Sequence, residues 1–290
     1  MTCTFRPSPH REPGHEGACR CSGAKPGRCA VSVTGRFRSR SGRTASPREA
    51  GMTETRLPYD DPEYADGHDA DFHADPANAV HSRFELGMIE ELAGERSGLS
   101  WLNVACGTGF HLANAGGHMR RTGVDRAEAM LEVARRRPGR AATFHCRDAR
   151  DLSALGSFDL VARFWCGCVH QESVDEVPQP LSSMASAVAP GGDFLLGVCG
   201  PAGGLGNMPR AVRPPFGRGT MRIDAVVRRH SERGRHECRD CIAPHPKLVL
   251  AALAPRLEER RWRDCPRSAA RPGWQREALH LRRPTGSATQ

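Results

Sequence analysis

Apolar and polar positions change rhythm repeatedly after Met52, and the changes predict an alternation of helix and strand. Residues 75–94 (DPANAVHSRFELGMIEELAG) read as a helix with its caps. Asp75 stands at the N-cap and Pro76 at the first helical position, where a missing N–H costs nothing. Gly94 marks the end. Leu102–Ala105 is a short buried strand, 110–117 a helix, Thr122–Asp125 a second strand and 127–136 a helix. Thr143–His145 and Phe158–Phe164 are the third and fourth strands. A helix within 173–188 starts near Pro180, and Asp193–Val198 is the fifth strand. Strands alternating with such helices predict an α/β protein with a doubly wound parallel sheet. The tail departs from this rhythm. Residues 200–218 are a Gly/Pro-rich loop. Thr220–Val227 and the segment around His236–Ile242 read as a β-hairpin turning near Gly234. A helix at 245–254 and closing strands at Leu257–Trp262 and Ala278–Leu281 follow, so the parallel sheet is expected to end antiparallel.

Residues 1–51 carry no such pattern. They are rich in Arg, Ser, Gly, Pro and Cys, and cannot bury enough apolar surface to offset their ordering entropy. They are expected to be disordered, with the folded protein over 52–290 and a natural start at Met52. This segment also changes how the charge reads. The chain of 290 residues has 42 Lys+Arg against 33 Asp+Glu, a formal +9, which invites a nucleic-acid partner. Ten basic side chains against three acidic ones place +7 of that before Met52 and leave +2 for the rest. Only Lys25 and Lys247 are lysines, the codon signature of a GC-rich genome rather than of phosphate binding. Nucleic acid is therefore not the expected partner. No apolar run spans a membrane and no apolar leader opens the chain, so a cytoplasmic protein is expected. Its oligomeric state is left open.

The 12 cysteines are scattered through a chain too long to need disulfide stapling, and read as reduced thiols. Cys19, Cys21 and Cys29 with His10 and His15 match no common zinc spacing. Cys238 and Cys241, flanked by His236 and His245, form a single CxxC in a predicted hairpin, where side chains three apart face opposite sides. No metal is expected at either place.

The chemistry is concentrated at Trp101–His111 (WLNVACGTGFH), a strand running into a small-residue loop and then a helix. Ala105, Gly107 and Gly109 let backbone approach a ligand closely, and the helix start offers unpaired N–H groups. Asp125 ends the next strand, placed to accept hydrogen bonds from both hydroxyls of a ribose. Loop and acid together indicate a nucleoside-containing cofactor. The dinucleotide fingerprint GxGxxG wants a third glycine for helix packing. Phe110 stands there instead, which argues against a pyrophosphate and so against NAD.

Taken together, these segments resemble the class I S-adenosylmethionine (SAM)-dependent methyltransferases over roughly 101–199. NVACGTG is similar to their first motif, acidic-x-G-x-G-x-G. GVDRAEAML (123–131) resembles the ribose-binding strand and following helix, CRDARDL (146–152) the third motif, FDLVARFWCGCVH (158–170) the fourth strand, and VAPGGDFLL (188–196) the turn and fifth strand. The resemblance implies a Rossmann-like seven-stranded sheet whose last strand is antiparallel, with SAM as cofactor. It implies cofactor contacts from Asn103, Ala105, Gly107, Gly109, Asp125, Arg126 and Met130. Asp148 would bond the adenine amino group, Ala149 would supply an N–H, and Phe164 and Tyr64 would complete the set. Asn103 replaces the usual acid and Ala105 the first glycine, and binding is expected to survive both changes.

A narrower likeness concerns the acceptor. VACGTGxHL with His111, and GRGTMRIDAVV (217–227) with its following strand, are similar to the amino-sugar N,N-dimethyltransferases of macrolide biosynthesis. The likeness implies that residues 200–245 cover the substrate as a loop and hairpin. Phe164-Trp-Cys-Gly at the fourth strand's end is not the N/D-P-P-Y/F that methylates bases or glutamine. The expected activity is methyl transfer to an O or N atom of a small molecule in secondary metabolism. An RNA methyltransferase using the basic N-terminus and a non-catalytic SAM-binding protein are the alternatives. An acceptor nucleophile must lose a proton, which a histidine near its usual pKa of about 6.5 takes well. His170, just beyond the fourth strand on the ligand-binding edge of such sheets, is the candidate base. Tyr59 and Tyr64, with His68, His73 and His81 nearby, belong to a lead-in over 52–99 that in this family folds over the cofactor. The other reading of that lead-in is a solvated acidic segment.

Overall fold

The computed structural model describes residues 58–94, 96–137, 141–165, 174–198, 225–230, 239–244, 246–267, 269 and 276–286. The chain divides into two units, Met1–Ser41 and Gly42–Gln290, and every described residue lies in the second. The proposed start at Met52, the cysteines of the N-terminal segment, Cys238 and His170 lie outside the described residues.

The strands are β1 (Ser100–Val104), β2 (Arg120–Asp125), β3 (Ala142–Cys146), β4 (Phe158–Arg163), β5 (Val188–Val198), β6 (Ala225–His230), β7 (Arg239–Pro244), β8 (Glu258–Asp264) and β9 (Glu277–Arg282). Seven of them form one sheet in the order β3-β2-β1-β4-β5-β9-β8. β1 to β5 pair in parallel, and β9 runs antiparallel to both β5 and β8. The expected antiparallel last strand is therefore observed. β6 and β7 make the expected hairpin, a separate two-stranded antiparallel sheet. The strand order turns back at β1, so the crevice beyond the carboxyl ends of β1 and β4 is where such sheets bind ligands.

Alternation along the strands builds two cores, one on each face. Leu102, Val104, Val161, Phe194, Leu196, Leu279 and Leu281 point to one side. They pack there with Leu181 and Met184 of α5 (Pro178–Ser186) and Val249 and Leu253 of α6 (Pro246–Leu253). Trp101, Leu160, Ala162, Leu195 and Ala278 point to the other. They meet Met88 and Ile89 of α2 (Pro76–Ala93) and Leu112 of α3 (Phe110–Asn114). α2 starts as predicted, with the Asp75 carboxylate accepting from the N–H groups of Ala77 at 2.8 Å and Asn78 at 3.2 Å. α4 (Glu128–Arg136) follows β2. No helix among the described residues is long and apolar enough to cross a membrane, and no disulfide joins Cys106, Cys146 or Cys265.

The lead-in, given two readings above, is largely helical, and two predicted boundaries need correction. A 3₁₀ turn at Pro58–Asp60 precedes the extended Asp61 cap, and α1 (Pro62–His68) runs directly into a π turn at Asp69–His73 ahead of α2. Its mixed acidic and aromatic sequence hides an apolar period, yet Asp61 caps α1 by accepting from the Glu63 N–H at 2.9 Å. α3 stops at Asn114, short of 117, because Gly116 turns the chain at φ 67°. β5 begins at Val188, five residues before the predicted start, with Gly191 at φ 75° inside it.

Gly123 of β2 shows how tightly the sheet is covered beside the crevice. A Cβ there would lie 2.7 Å from Phe144 Cδ1 and 2.8 Å from both Cys106 Sγ and Leu112 Cδ1. Gly123→Ala is expected to cost about 1–3 kcal/mol through overpacking, read as a lower midpoint in thermal or urea denaturation.

Candidate active site

The loop after β1 winds through left-handed backbone. Ala105, Gly107 and Gly109 have φ of 54°, 53° and 72°. Cys106 donates to the Val124 carbonyl at 3.0 Å and Gly109 to the Cys106 carbonyl at 2.9 Å, so the turn is tied to β2 and closed on itself. α3 has only five residues. Its dipole is correspondingly small, and the Cys106, Gly107 and Gly109 N–H groups are all committed to holding the loop.

Asp125, at the end of β2, takes one loop N–H directly. Its Oδ2 accepts from Gly107 N at 2.8 Å, and its Oδ1 accepts from Ala127 N at 3.0 Å. Burial pushes its pKa up, and the bonds from the Ala127, Gly107 and Arg126 backbone N–H groups oppose that rise. Its two oxygens offer about four acceptor sites, so these three bonds leave the carboxylate partly satisfied. Met130 of α4 is buried beneath Gly107, its Cε 3.5 Å from where a Cβ would stand. Asn103 is buried in β1, between Gly123 of β2 and Ala162 of β4.

The remaining expected contacts are more dispersed. Asp148 is engaged by Arg150, whose Nε and Nη2 donate to it at 3.0 and 2.7 Å. Arg150 and, more weakly, the Arg126 charge hold its carboxyl below the usual range. Ala149 packs against the α5/α6 core. Phe164 is buried on the other face, where it stacks on His111 with ring centroids 4.8 Å apart. Tyr64 meets Tyr59 edge-on at 5.6 Å and His68 at 5.8 Å.

The lead-in docks onto the loop. Ala65 and Tyr59 pack with Ala127 and Met130. Asp69 accepts from the Thr108 hydroxyl at 2.5 Å and from Arg137, and Arg137 Nε also donates to the Thr108 carbonyl at 3.0 Å. Burial raises the Asp69 pKa, but bonds from His68, Thr108 and Arg137 outweigh it and hold the carboxyl well below its ordinary range. His73 stacks on Phe110 at 3.8 Å and bonds Ser82 Oγ through Nδ1 at 3.2 Å. Burial, then the charges of His111 and His68, press its pKa down to about 3, so it is neutral at neutral pH. His68, Asp69 and His73 bring potential metal-ligand atoms within 4.8 Å of one another. Both Asp69 oxygens are committed to Thr108 and Arg137, and docking accounts for the grouping.

Sequence reasoning missed Asp69, Thr108 and Arg137, which no spacing connects. It also missed Glu85 and Arg276. Glu85 had a legible signal, because it shares the buried face of α2 with His81, Ser82 and Ile89.

Comparisons with known proteins bear on the fold. Residues 102–192 match the family described as "Methyltransferase domain". An N-methyltransferase NodS from Bradyrhizobium japonicum, solved with S-adenosyl-L-homocysteine, superposes with a TM-score of 0.52 at 16% identity, over 78% of this chain and 98% of that one. An S-adenosylmethionine-dependent methyltransferase from Clostridium acetobutylicum gives 0.53 at 14% identity, over 77% and 98%. The chain has the Rossmann-like methyltransferase fold. Among sequences, a dTDP-4-amino-2,3,4,6-tetradeoxy-D-glucose N,N-dimethyltransferase of Saccharopolyspora spinosa is 32% identical over 129 residues, 41% of this chain and 51% of the relative. A dTDP-3-amino-3,4,6-trideoxy-alpha-D-glucopyranose N,N-dimethyltransferase of Streptomyces venezuelae is 32% identical over 133 residues, 41% and 54%. The chain thus spans about half the length of these relatives.

Two outcomes follow from the loop and its clip. Ala105 holds a backbone that costs a non-glycine residue about 1–2 kcal/mol, offset by the lost chain entropy of glycine. Ala105→Gly is therefore expected to raise stability by up to about 1 kcal/mol, read as a higher midpoint in thermal or urea denaturation. Asp69→Ala should speed amide hydrogen exchange across 58–73 while leaving β1 and β4 protected. A carboxyl with a depressed folded pKa stabilises fully above its ordinary value and progressively less as pH falls. Acidification of the unsubstituted protein should therefore release the same segment first.

Proposed function

We propose that this chain is a SAM-dependent methyltransferase whose acceptor is a small molecule, with the amino group of a nucleotide-linked amino sugar as the favoured target. The observation that carries the reading is Asp125, set at the end of β2 with its carboxylate bridging to the Gly107 N–H at 2.8 Å. The donor set fits the cofactor. A partly satisfied carboxylate faces a loop whose glycine leaves room above Met130, the combination a ribose with two vicinal hydroxyls needs. Asp125 would hold the ribose, and Asn103, Ala105, Gly107 and Gly109 the adjoining backbone-facing part. Asp148 and Ala149 would take the adenine, with Arg126, Met130, Phe164 and Tyr64 around them. Arg150 already occupies Asp148, so adenine binding there requires Arg150 to share or yield that carboxylate. The docked lead-in supports its role as a lid, since Asp69 and Arg137 close on Thr108 of the same loop.

When bound, SAM supplies a methyl group already activated on a sulfonium for in-line displacement. The protein's share is to orient the two reactants and exclude water. The acceptor nitrogen must present a lone pair, and His170 is the proposed base that takes its proton. The amino-sugar class rests on the two relatives, each named for a dTDP-amino-deoxysugar acceptor, and places the activity in secondary metabolism.

Titration calorimetry of the full chain with S-adenosylhomocysteine tests the cofactor half. Binding is expected, and Asp125→Ala should weaken it about tenfold or more through the charge-assisted bonds lost. Absence of binding by the unsubstituted protein overturns the reading. Transfer of labelled methyl from SAM to dTDP-4-amino-2,3,4,6-tetradeoxy-D-glucose tests the acceptor half. Cofactor binding without transfer to that compound overturns the amino-sugar assignment.

A further inference from the structure

A buried ionic network lies beneath the crevice, on the sheet face covered by α2 and α3. Glu85 of α2, His111 of α3 and Arg276 at the start of β9 are 0%, 4% and 1% exposed. Glu85 Oε2 faces His111 Nε2 at 3.0 Å, and its Oε1 accepts from Arg276 Nη2 at 2.8 Å. Burial raises the Glu85 pKa, but Arg276 and His111 outweigh it and the group stays ionised. An ionised carboxylate has no proton to give, so His111 must donate through Nε2. Oε1 also receives the Trp165 backbone N–H at 3.4 Å.

Each partner of Glu85 belongs to a different wall of the crevice. His111 is the second residue of α3, directly after the glycine loop. Trp165, in the turn two residues past β4, has φ 54°, a left-handed backbone rare for a bulky side chain and a common sign of functional strain. Its ring lies under the Arg276 guanidinium, whose Cζ is 4.2 Å from the ring centroid. Phe72 of the lead-in meets the same ring edge-on at 4.4 Å. Arg276 has room there only because β5 carries Gly197, where a Cβ would stand 3.2 Å from Arg276 Nη2 and 3.3 Å from Trp165 N. The Cys265 N–H fixes the Arg276 carbonyl at 2.9 Å.

We propose that Glu85 is a positioning residue: one buried carboxylate sets both α3, with the cofactor loop ahead of it, and the strained end of β4 on the acceptor side. The inference rests on the methyltransferase reading above, but its geometry is independent of which acceptor is used. A charge is required for this role. A neutral group of the same shape would leave Arg276 buried without its counter-charge, and Arg276 would no longer clamp Trp165 in one place.

The test compares E85Q, H111F and the double variant in the full chain. H111F keeps a ring against Phe164 and removes the hydrogen bond to Glu85. S-adenosylhomocysteine affinity is measured by calorimetry well below each variant's own melting temperature, so that folded protein alone is read. Each single variant should bind about tenfold more weakly, within the range that small displacements of a reacting group produce. The double variant should bind no more weakly than E85Q, because both changes break one link. Tryptophan emission, assigned to Trp165 by difference from W165F, should shift in E85Q and stay in place in H111F. A purely structural role would lower melting temperatures and leave both readouts of the folded protein unchanged, which overturns the proposal. If E85Q does not fold, unchanged affinity in H111F overturns it alone. Failure of the unsubstituted protein to bind S-adenosylhomocysteine overturns the methyltransferase reading instead.

Discussion

The bond from the Gly107 N–H to the Asp125 carboxylate joins the ends of two neighbouring parallel strands at the point where the sheet's order turns back. Parallel strands leave their connections at the edge, and a loop there has no ladder to hold it. Here the loop is held by the acid that ends β2, by the Cys106 N–H on the Val124 carbonyl, and by Thr108 reaching Asp69. Everything that gives the crevice its chemistry depends on the first of these ties. It holds the Asp125 carboxylate against the turn after β1, in partial shelter from water, where such bonds are strongest.

Much of this was legible in the residues because local rules decide it. The strand-loop-helix at 101–111 must turn sharply, and only small residues tolerate the turn. Alternation of burial in β1, β4, β5 and β9 follows from covering a sheet on both faces. The Asp75-Pro76 start of α2 is a capping signal that needs no tertiary information. What stayed hidden was long-range. Asp69, Thr108 and Arg137 lie in three separate segments that become neighbours only when the lead-in docks. Arg276 follows a stretch with no apolar period, and its partner Glu85 lies 191 residues earlier. The lead-in stayed open between two readings because its helices are fixed by caps and by aromatic contacts among Tyr59, Tyr64, His68 and Phe72 rather than by an apolar stripe.

The two sheet faces differ in kind. The α5/α6 side is packed with aliphatic and aromatic side chains such as Leu181, Leu196, Phe158 and Phe194. The α2/α3 side encloses Glu85, His111 and Arg276 within its apolar cluster. Buried ion pairs rarely add net stability over well-packed hydrophobic residues. Their directional bonds fix orientation in a way that aliphatic packing does not, and the face carrying them is the one against which the lead-in, the glycine loop and the end of β4 converge.

The π turn at Asp69–His73 has a mechanical consequence. Its hydrogen bonds span five residues, as in Ala74 N to Asp69 O at 3.1 Å, one more than an α-helix allows. The extra residue sits at the end of α1, just ahead of the Ala74–Asp75 break that precedes α2. Removing any one residue from 69–73 would let the backbone relax to α-helix and rotate everything before it by about 100°, the angular step of one helical residue. Tyr59 and Ala65 would then leave Met130 while α2 stayed in place. The wider ring thus sets the angle at which Tyr59 and Ala65 meet Met130 at the foot of the loop after β1.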